Sequence, residues 1–292
     1  MKGKLKEPMN GKICLVTGAT NGIGKATAQA LAQMDATVVI VGRNPAKCAA
    51  VVNEIKHSSG NDAVEALIAD LSILAEVREV ADQFKAKHQE LHVLVNNAGA
   101  AFGKREVTAE GFEKTFALNH LSSFLLTSLL LDTLKASAPA RIVNVSSDAH
   151  KAAHLDFDDL QSAQGNFVFN AYGRSKLANV VFSYELARRL SGTGVTVNVL
   201  HPGLVRTGFA SNMGAVSSAV IGFFMRFVGM TPEQGAQTSV YLATSPAVEN
   251  VTGKYWEKCK AVPSGPAAYE EATWARLWEV SDAMVAATAP AR

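Results

Sequence analysis

Short runs of β-branched and aliphatic residues recur along this chain, separated by longer stretches whose apolar positions follow a helical period. The runs are Ile13–Thr17, Thr37–Val41, Val64–Ala69, Val93–Asn96, Arg141–Val145 and Val195–Leu200, with a last one near Gly253–Trp256. Most are continuous Val, Ile and Leu rather than alternating, the pattern of strands covered on both faces. Helical periodicity fills the gaps over Lys25–Gln33, Pro45–His57, Ile73–His88, Glu110–Leu134, Ala171–Leu190, Pro232–Thr244 and Tyr269–Met284. Alternating strands and helices predict an α/β fold: one doubly wound parallel sheet of about seven strands, joined by right-handed crossovers, with helices on both faces. No linker, repeat or low-complexity segment interrupts the alternation. Residues 11–285 therefore read as a single domain, 1–10 as an N-terminal extension and 286–292 as a frayed tail.

Two segments are more apolar than a surface helix requires. Leu118–Leu134 is apolar almost all round, which predicts burial on two sides: one on the sheet, the other against a partner subunit or within the same chain. A homodimer is one expectation from this face. Met213–Met230 is apolar apart from Arg226 and a few small polar residues. It reads as a buried helix, as a substrate lid over about 206–230, or as a peripheral membrane contact through 213–230, with the lid preferred.

Composition narrows the classes. The chain has 292 residues, 48% hydrophobic and 18% charged, enough for a sizeable core without staples. A net charge of +2 without a basic cluster argues against a nucleic-acid partner. Cys14, Cys48 and Cys259 are odd in number and far apart, so neither a zinc site nor a disulfide framework is expected, and a reducing, cytoplasmic setting fits. Met1–Asn10 is Lys-rich with no apolar stretch behind it, so neither a signal peptide nor a membrane anchor is expected.

The chemistry concentrates at the ends of the predicted strands. After the first comes Gly18-Ala19-Thr20-Asn21-Gly22-Ile23-Gly24, leading into a helix. Glycines let backbone approach a pyrophosphate, and a helix N-terminus presents free N–H groups to it, as in a Rossmann dinucleotide site. The second strand ends in Gly42-Arg43-Asn44, with no Asp or Glu between Val38 and Asn44. A carboxylate at this point would suit NAD, whereas a guanidinium can grip the 2′-phosphate of NADP; the bland alternative is a solvated loop arginine. Asp70-Leu71, after the third strand, could hold an adenine amino group or simply cap a helix, a role for which Ser72 competes. Asn96-Asn97-Ala98-Gly99 offers small residues for close backbone approach and amides that could tie loops together, or forms a bare turn. Ser146-Ser147 ends the fifth strand, Tyr172 and Lys176 share a helix face at i and i+4, and His201-Pro202-Gly203 precedes Leu204-Val205-Arg206-Thr207. An ammonium beside a phenol favours the phenolate, which predicts a lowered Tyr172 pKa. His150 and His154 lie near Asp148, Asp156, Asp158 and Asp159, but the stretch reads as a solvated, charge-rich loop, and no metal is expected.

In order, Thr17-Gly18-xxx-Gly22-Ile23-Gly24, Asn96-Asn97-Ala98-Gly99, the serine of strand five, Tyr172-xxx-Lys176 and Pro202-Gly203 resemble the short-chain dehydrogenase/reductase superfamily over nearly the whole chain. Val143–Ser147 with Ala149-His150, Ser175–Asn179, Thr231–Gln237 and Gly253–Tyr255 resemble its retinol dehydrogenase-like branch. The resemblance implies an NADP(H)-dependent oxidoreductase interconverting a carbonyl and an alcohol. Ser147 would polarise the substrate oxygen and Tyr172 would move its proton. Lys176 would lower the Tyr172 pKa and bind ribose hydroxyls, and Asn119 would anchor a proton-relay water. The implied cofactor contacts are Gly18, Asn21, Gly22, Ile23, Gly24, Arg43, Asn44, Asp70, Leu71, Asn97, Ala98, Gly99, Tyr172, Lys176, Pro202, Gly203, Val205 and Thr207. The expected substrate is an apolar aldehyde or ketone, or a retinoid-like molecule. The alternatives are a carbonyl reductase of broad specificity and, from another class, a catalytically silent dinucleotide sensor or scaffold. The joint presence of Asn119, Ser147, Tyr172 and Lys176 favours the enzyme.

Overall fold

A computed structural model describes residues 9–163, 167–205 and 230–288. The first half alternates β1 (Ile13–Thr17), α1 (Gly22–Ala32), β2 (Thr37–Gly42), α2 (Pro45–Ser59), β3 (Val64–Ile68), α3 (Leu74–Lys87) and β4 (Val93–Asn96). A short α4 (Lys114–Phe116) passes through a π-helical turn, Ala117–Leu121, into α5 (Ser122–Ala136). Then follow β5 (Ala140–Val145), α6 (Phe167–Arg189), β6 (Val195–His201), α7 (Pro232–Thr244), β7 (Lys254–Glu257), β8 (Lys260–Val262) and α8 (Glu271–Ala286). The strands form one sheet in the order β3-β2-β1-β4-β5-β6-β7-β8. The strand order reverses direction between β1 and β4, and in open α/β sheets ligands bind in the crevice at such a switch point.

Successive strand residues face opposite layers, as the period of two requires. Leu15, Val39, Leu94, Ile142 and Val197 join the core beneath α3, α5 and α6. Cys14, Val38, Val95, Val143 and Leu200 join the core beneath α1, α2 and α7. The near-continuous apolar character of these strands is therefore the mark of two buried faces.

Two differences from the sequence reading have physical causes. The sheet has eight strands, and β8 runs antiparallel to β7. The connecting residues Lys258 and Cys259 both have positive φ (49° and 59°), as the tight type I′ hairpin needs. Such turns are normally signalled by Asn-Gly, so this one carried no signal. The helix expected over Glu110–Leu134 starts later, because Glu113 caps it through Thr115 and Phe116 N–H at 2.7 and 2.8 Å. Glu110 instead reaches back to α3 and accepts from Leu74 and Ala75 N–H at 2.8 and 2.9 Å. It satisfies donors that Ile73, at the N-cap, cannot. Of the two alternatives left for the second apolar side of α5, the one within the same chain holds: α8 covers it. Trp278 packs edge-on to Phe124 (4.9 Å) and stacks on Phe182 (5.9 Å), and the Arg189 guanidinium lies 4.1 Å over its ring. The apolarity of Leu118–Leu134 thus needs no partner subunit. Among the described residues no helix is long and apolar enough to cross a membrane.

Candidate active site

The carboxyl ends of β1, β2, β4, β5 and β6 open onto a cleft of about 410 Å³. Its floor on one side is the turn after β1. Gly18 sits at φ +64°, and a Cβ there would come within 2.8 Å of the Ala98 Cα, so only glycine fits both the conformation and the contact. Asn97 holds the two loops together: its Nδ2 donates to the Thr17 carbonyl at 2.8 Å. Thr17 Oγ1 accepts from the N–H groups of Asn97 (2.9 Å) and Ala98 (3.0 Å). Asn21 stands at the N-cap of α1 without a side-chain cap, which leaves the first N–H groups of Gly22, Ile23 and Gly24 facing the cleft. A glycine-lined, uncapped helix start is a fitting cradle for a dinucleotide pyrophosphate.

Arg43, Asp70 and Leu71 line the same cleft, with Arg43 exposed at its rim. Asp70 does not cap α3: its Oδ1 accepts from Ser72 N–H (2.9 Å) and Oγ (2.7 Å), closing a local turn. Asn44 is not among the lining residues; its side chain caps α2, accepting from Lys47 N–H at 2.9 Å. Pro202, Gly203 and Val205 line the opposite wall, while Thr207 lies outside the described residues. So does the lid segment, apart from Met230. Met230 N–H bonds the Leu204 carbonyl at 2.7 Å and bridges Val205 beside the cleft.

At the far end of the cleft, two adjacent serines have different duties. Ser146 is buried and its Oγ donates to the Lys176 carbonyl at 2.8 Å, fastening β5 to α6. Ser147 lines the cleft; its Oγ accepts from Ala149 N–H at 3.3 Å and is hydrogen-bonded to Tyr172. Lys176, almost fully buried, donates from Nζ to the Val145 carbonyl at 3.0 Å and lies 5.7 Å from the centre of the Tyr172 ring. Asn119 stands behind the lining, in the π-helical turn. Its amide brackets Ala100, accepting from N–H (2.9 Å) and donating to C=O (3.0 Å), and it also donates to Ser175 Oγ (2.9 Å). Gly99 completes this corner, because a Cβ there would sit 3.0 Å from Lys176 Nζ and 3.2 Å from Asn119 Oδ1. π-helical turns recur at functional sites because they re-aim side chains.

The electrostatics differ from the sequence expectation. Burial pushes the Tyr172 hydroxyl up to about 12, and it is Ser147 rather than Lys176 that pulls it back. Burial also brings Lys176 down to about 8. The expected depression of Tyr172 by the ammonium is absent because Lys176 points at a backbone carbonyl, and desolvation dominates both groups. Along the charge-rich stretch after Ser147, Asp148, Lys151, His154 and Asp158 are exposed as expected, but His150 is fully buried, and both its ring nitrogens are engaged. Among the described residues, no cluster of His, Cys, Asp or Glu could hold a metal. Sequence reading named Thr17, His150 and His201 only as motif members without a role, and missed the cleft-lining Phe102 and Leu118. Phe102 and Leu118 carried no signal beyond apolarity, whereas His201 opened the His201-Pro202-Gly203 stretch already singled out.

Comparison with known proteins agrees with this geometry. A profile described as short chain dehydrogenase matches residues 12–216. The chain is 42% identical over 290 residues to retinol dehydrogenase 13 of Homo sapiens, covering 98% of this chain and 88% of that protein. It is 44% identical over 271 residues to human retinol dehydrogenase 12, covering 93% and 85%. A crystal structure of a Mycobacterium paratuberculosis protein superposes with a TM-score of 0.79 at 28% identity, over 98% of each chain. The Pseudomonas aeruginosa RhlG/NADP active-site complex does so with a TM-score of 0.68 at 30% identity, over 89% of this chain and 98% of that one.

Proposed function

The chain belongs to the short chain dehydrogenase family, on its retinol dehydrogenase-like branch, and is an alcohol/carbonyl oxidoreductase using a nicotinamide dinucleotide; from that premise we propose that it is specific for NADP(H), uses Tyr172 as general acid/base and acts on an apolar aldehyde, ketone or retinoid-like substrate. The observation that carries the reading is the meeting of Ser147, Tyr172 and Lys176 at the end of the cleft floored by the Gly18–Gly24 turn. A bound dihydronicotinamide supplies the hydride in reduction. The remaining work falls to the chain. The α1 N-terminus and Gly18–Gly24 would hold the pyrophosphate, and Asp70 and Leu71, which line the same cleft, would border the adenine. Pro202, Gly203 and Val205, which also line the cleft, would wall the nicotinamide. A substrate carbonyl oxygen seated between Ser147 Oγ and Tyr172 Oη receives a hydrogen bond from the first and a proton from the second. Burial pushes the Tyr172 hydroxyl up to about 12, so at neutral pH it carries the proton that reduction requires. Lys176 and Gly99 share the corner next to Tyr172, where Lys176 Nζ would donate to a ribose hydroxyl, and Asn119, its amide engaged by Ala100 and Ser175, stands behind them.

Specificity for NADP rests on Arg43, exposed at the rim of the cleft on a strand end that carries no carboxylate. The NADP named with the P. aeruginosa neighbour supports the same choice. Phe102, Leu118 and Leu204 give the cleft its apolar walls and support a greasy substrate. The cytoplasmic setting expected from the isolated cysteines belongs to this proposal too. The test is turnover of a panel of aldehydes and ketones, followed by NADPH absorbance. Tyr172→Phe should lose about two to four powers of ten in turnover, the usual scale of general acid catalysis, while still binding NADPH. Wild-type turnover in that variant would remove Tyr172 from the mechanism.

A further inference from the structure

Both polar groups of a single peptide unit, the one joining Ser147 to Asp148, are held by imidazoles. His150 Nδ1 lies 2.7 Å from the Ser147 carbonyl oxygen. Asp148 N–H donates to His201 Nδ1 at 3.2 Å. The two rings come from different places: His150 from the 3₁₀ turn Asp148–Ala152 after β5, His201 from the end of β6.

The tautomers follow from the partners. His150 Nε2 accepts from Gly265 N–H at 2.8 Å, so its proton is on Nδ1, where it is donated to Ser147. His201 accepts at Nδ1, so its proton is on Nε2, 3.6 Å from Asp148 Oδ2. Each ring is useful only when neutral. A second proton on His150 would face Gly265 N–H, and one on His201 would face Asp148 N–H. Burial holds both below the usual histidine range. Asp148 and Glu257 oppose that at His201 while Lys151 and Lys258 reinforce it; around His150, Lys151 and His201 reinforce it while Asp148 and the Ser147 carbonyl oppose it. Further ties brace the clamp. The His150 ring packs 4.8 Å from that of Tyr255 on β7, and Asp148 Oδ1 accepts from Tyr255 Oη (3.2 Å) and pairs with Lys151 (2.7 Å).

We propose that His150 and His201 are positioning residues that fix the Ser147–Asp148 peptide plane and thereby aim Ser147 Oγ at Tyr172 and the substrate oxygen. The plane after Ser147 sets its ψ, and with it the position of Ala149 N–H, the backbone donor to Oγ. Turning the peptide carries Oγ off its line to Tyr172. A displacement of about 1 Å in a reacting group can cost on the order of a hundredfold in rate. The proposal rests on the role given above to Ser147.

The test is a double-mutant cycle of His150→Leu with Ser147→Ala, reading kcat, KM for the carbonyl and Kd for NADPH. His150 is the better probe because it does not line the cleft. His150→Leu should lower kcat by roughly a hundredfold with little change in NADPH Kd. Ser147→Ala should lower it by about a hundred- to a thousandfold, as loss of one oxyanion donor does. In the Ser147→Ala background, His150→Leu should cost almost nothing more, because the clamp acts only through Ser147. His150→Asn keeps an N–H for the Ser147 carbonyl and should recover part of the loss. If His150→Leu melts out at assay temperature, the cycle is run with His150→Asn, whose smaller loss should also vanish without Ser147. A loss at residue 150 that persists in full in the Ser147→Ala background, or wild-type kcat in His150→Leu, overturns the clamp. Wild-type kcat in Ser147→Ala itself overturns the role of Ser147 instead, so the two failures are distinguishable.

Discussion

The two ends of the cleft are made in different ways. The dinucleotide end is a backbone surface: Gly18 to Gly24, Asp70-Leu71 and Asn97 to Gly99 are short consecutive stretches at strand ends, and what matters there is the absence of side chains. The catalytic end is a side-chain surface: Ser147, Tyr172, Lys176 and Asn119 come from three segments and are held by partners from others, such as Gly265 against His150. A backbone site tolerates little variation in residue type but needs few distant partners. A side-chain site needs its neighbours in register across the fold. Perturbing the first should change which cofactor binds; perturbing the second should change rate and ionisation with the cofactor still bound.

The sharpest probe of this contrast is the buried lysine. Lys176 titrates near 8 when folded and at its ordinary 10.5 when unfolded. Below pH 8 it is charged in both states, and the full cost of burying the ammonium is present. Between about 8 and 10.5 the unfolded chain binds the extra proton, so stability rises with pH, and above 10.5 the cost is gone. Wild type should therefore gain roughly 3 kcal/mol relative to Lys176→Met across that window, measured by urea unfolding. A constant difference between the two proteins would mean that Lys176 is not desolvated.

Next in size is cofactor choice at the opposite end. A charge-assisted hydrogen bond is worth about 1.5–3 kcal/mol, so Arg43→Ala should weaken NADPH binding by roughly 10- to 150-fold and leave NADH nearly unchanged, as read by fluorescence titration. Equal losses for the two cofactors would make Arg43 structural and blur the division between the ends. The smallest effect concerns the walls. If Phe102, Leu118 and Leu204 bury a greasy substrate, each added methylene in a series of straight aldehydes is worth about 0.8 kcal/mol, or about fourfold in kcat/KM, up to the limit of the pocket. A flat series would assign those walls to the cofactor alone.

The legibility of the molecule follows the same division. Seven of the strands were readable because continuous Val, Ile and Leu runs are what a doubly covered sheet demands. The glycine turn was readable because φ +64° at Gly18 and its contact with Ala98 admit no other residue. The eighth strand was not, since its hairpin turns at Lys258-Cys259 without the usual residues. Nor was the start of α4, because Glu110 looks like an ordinary first-turn acid until its carboxylate is seen capping α3.

By itself the sequence determined the doubly wound fold, the cleft at its switch point and the residue types that meet there, because strand periodicity and glycine spacing are local properties of the chain. Tertiary structure alone decided the rest. It gave Ser146 to the Lys176 carbonyl and Ser147 to Tyr172. It raised the Tyr172 pKa by burial where the Tyr-xxx-Lys spacing implied a lowered one, and it set opposite tautomers on His150 and His201. It also closed the second face of α5 with Trp278 from the same chain. Each of these depends on a partner distant in the chain, as Gly265 is from His150, or on a desolvation that only packing creates, and neither leaves a trace in a local pattern of residues.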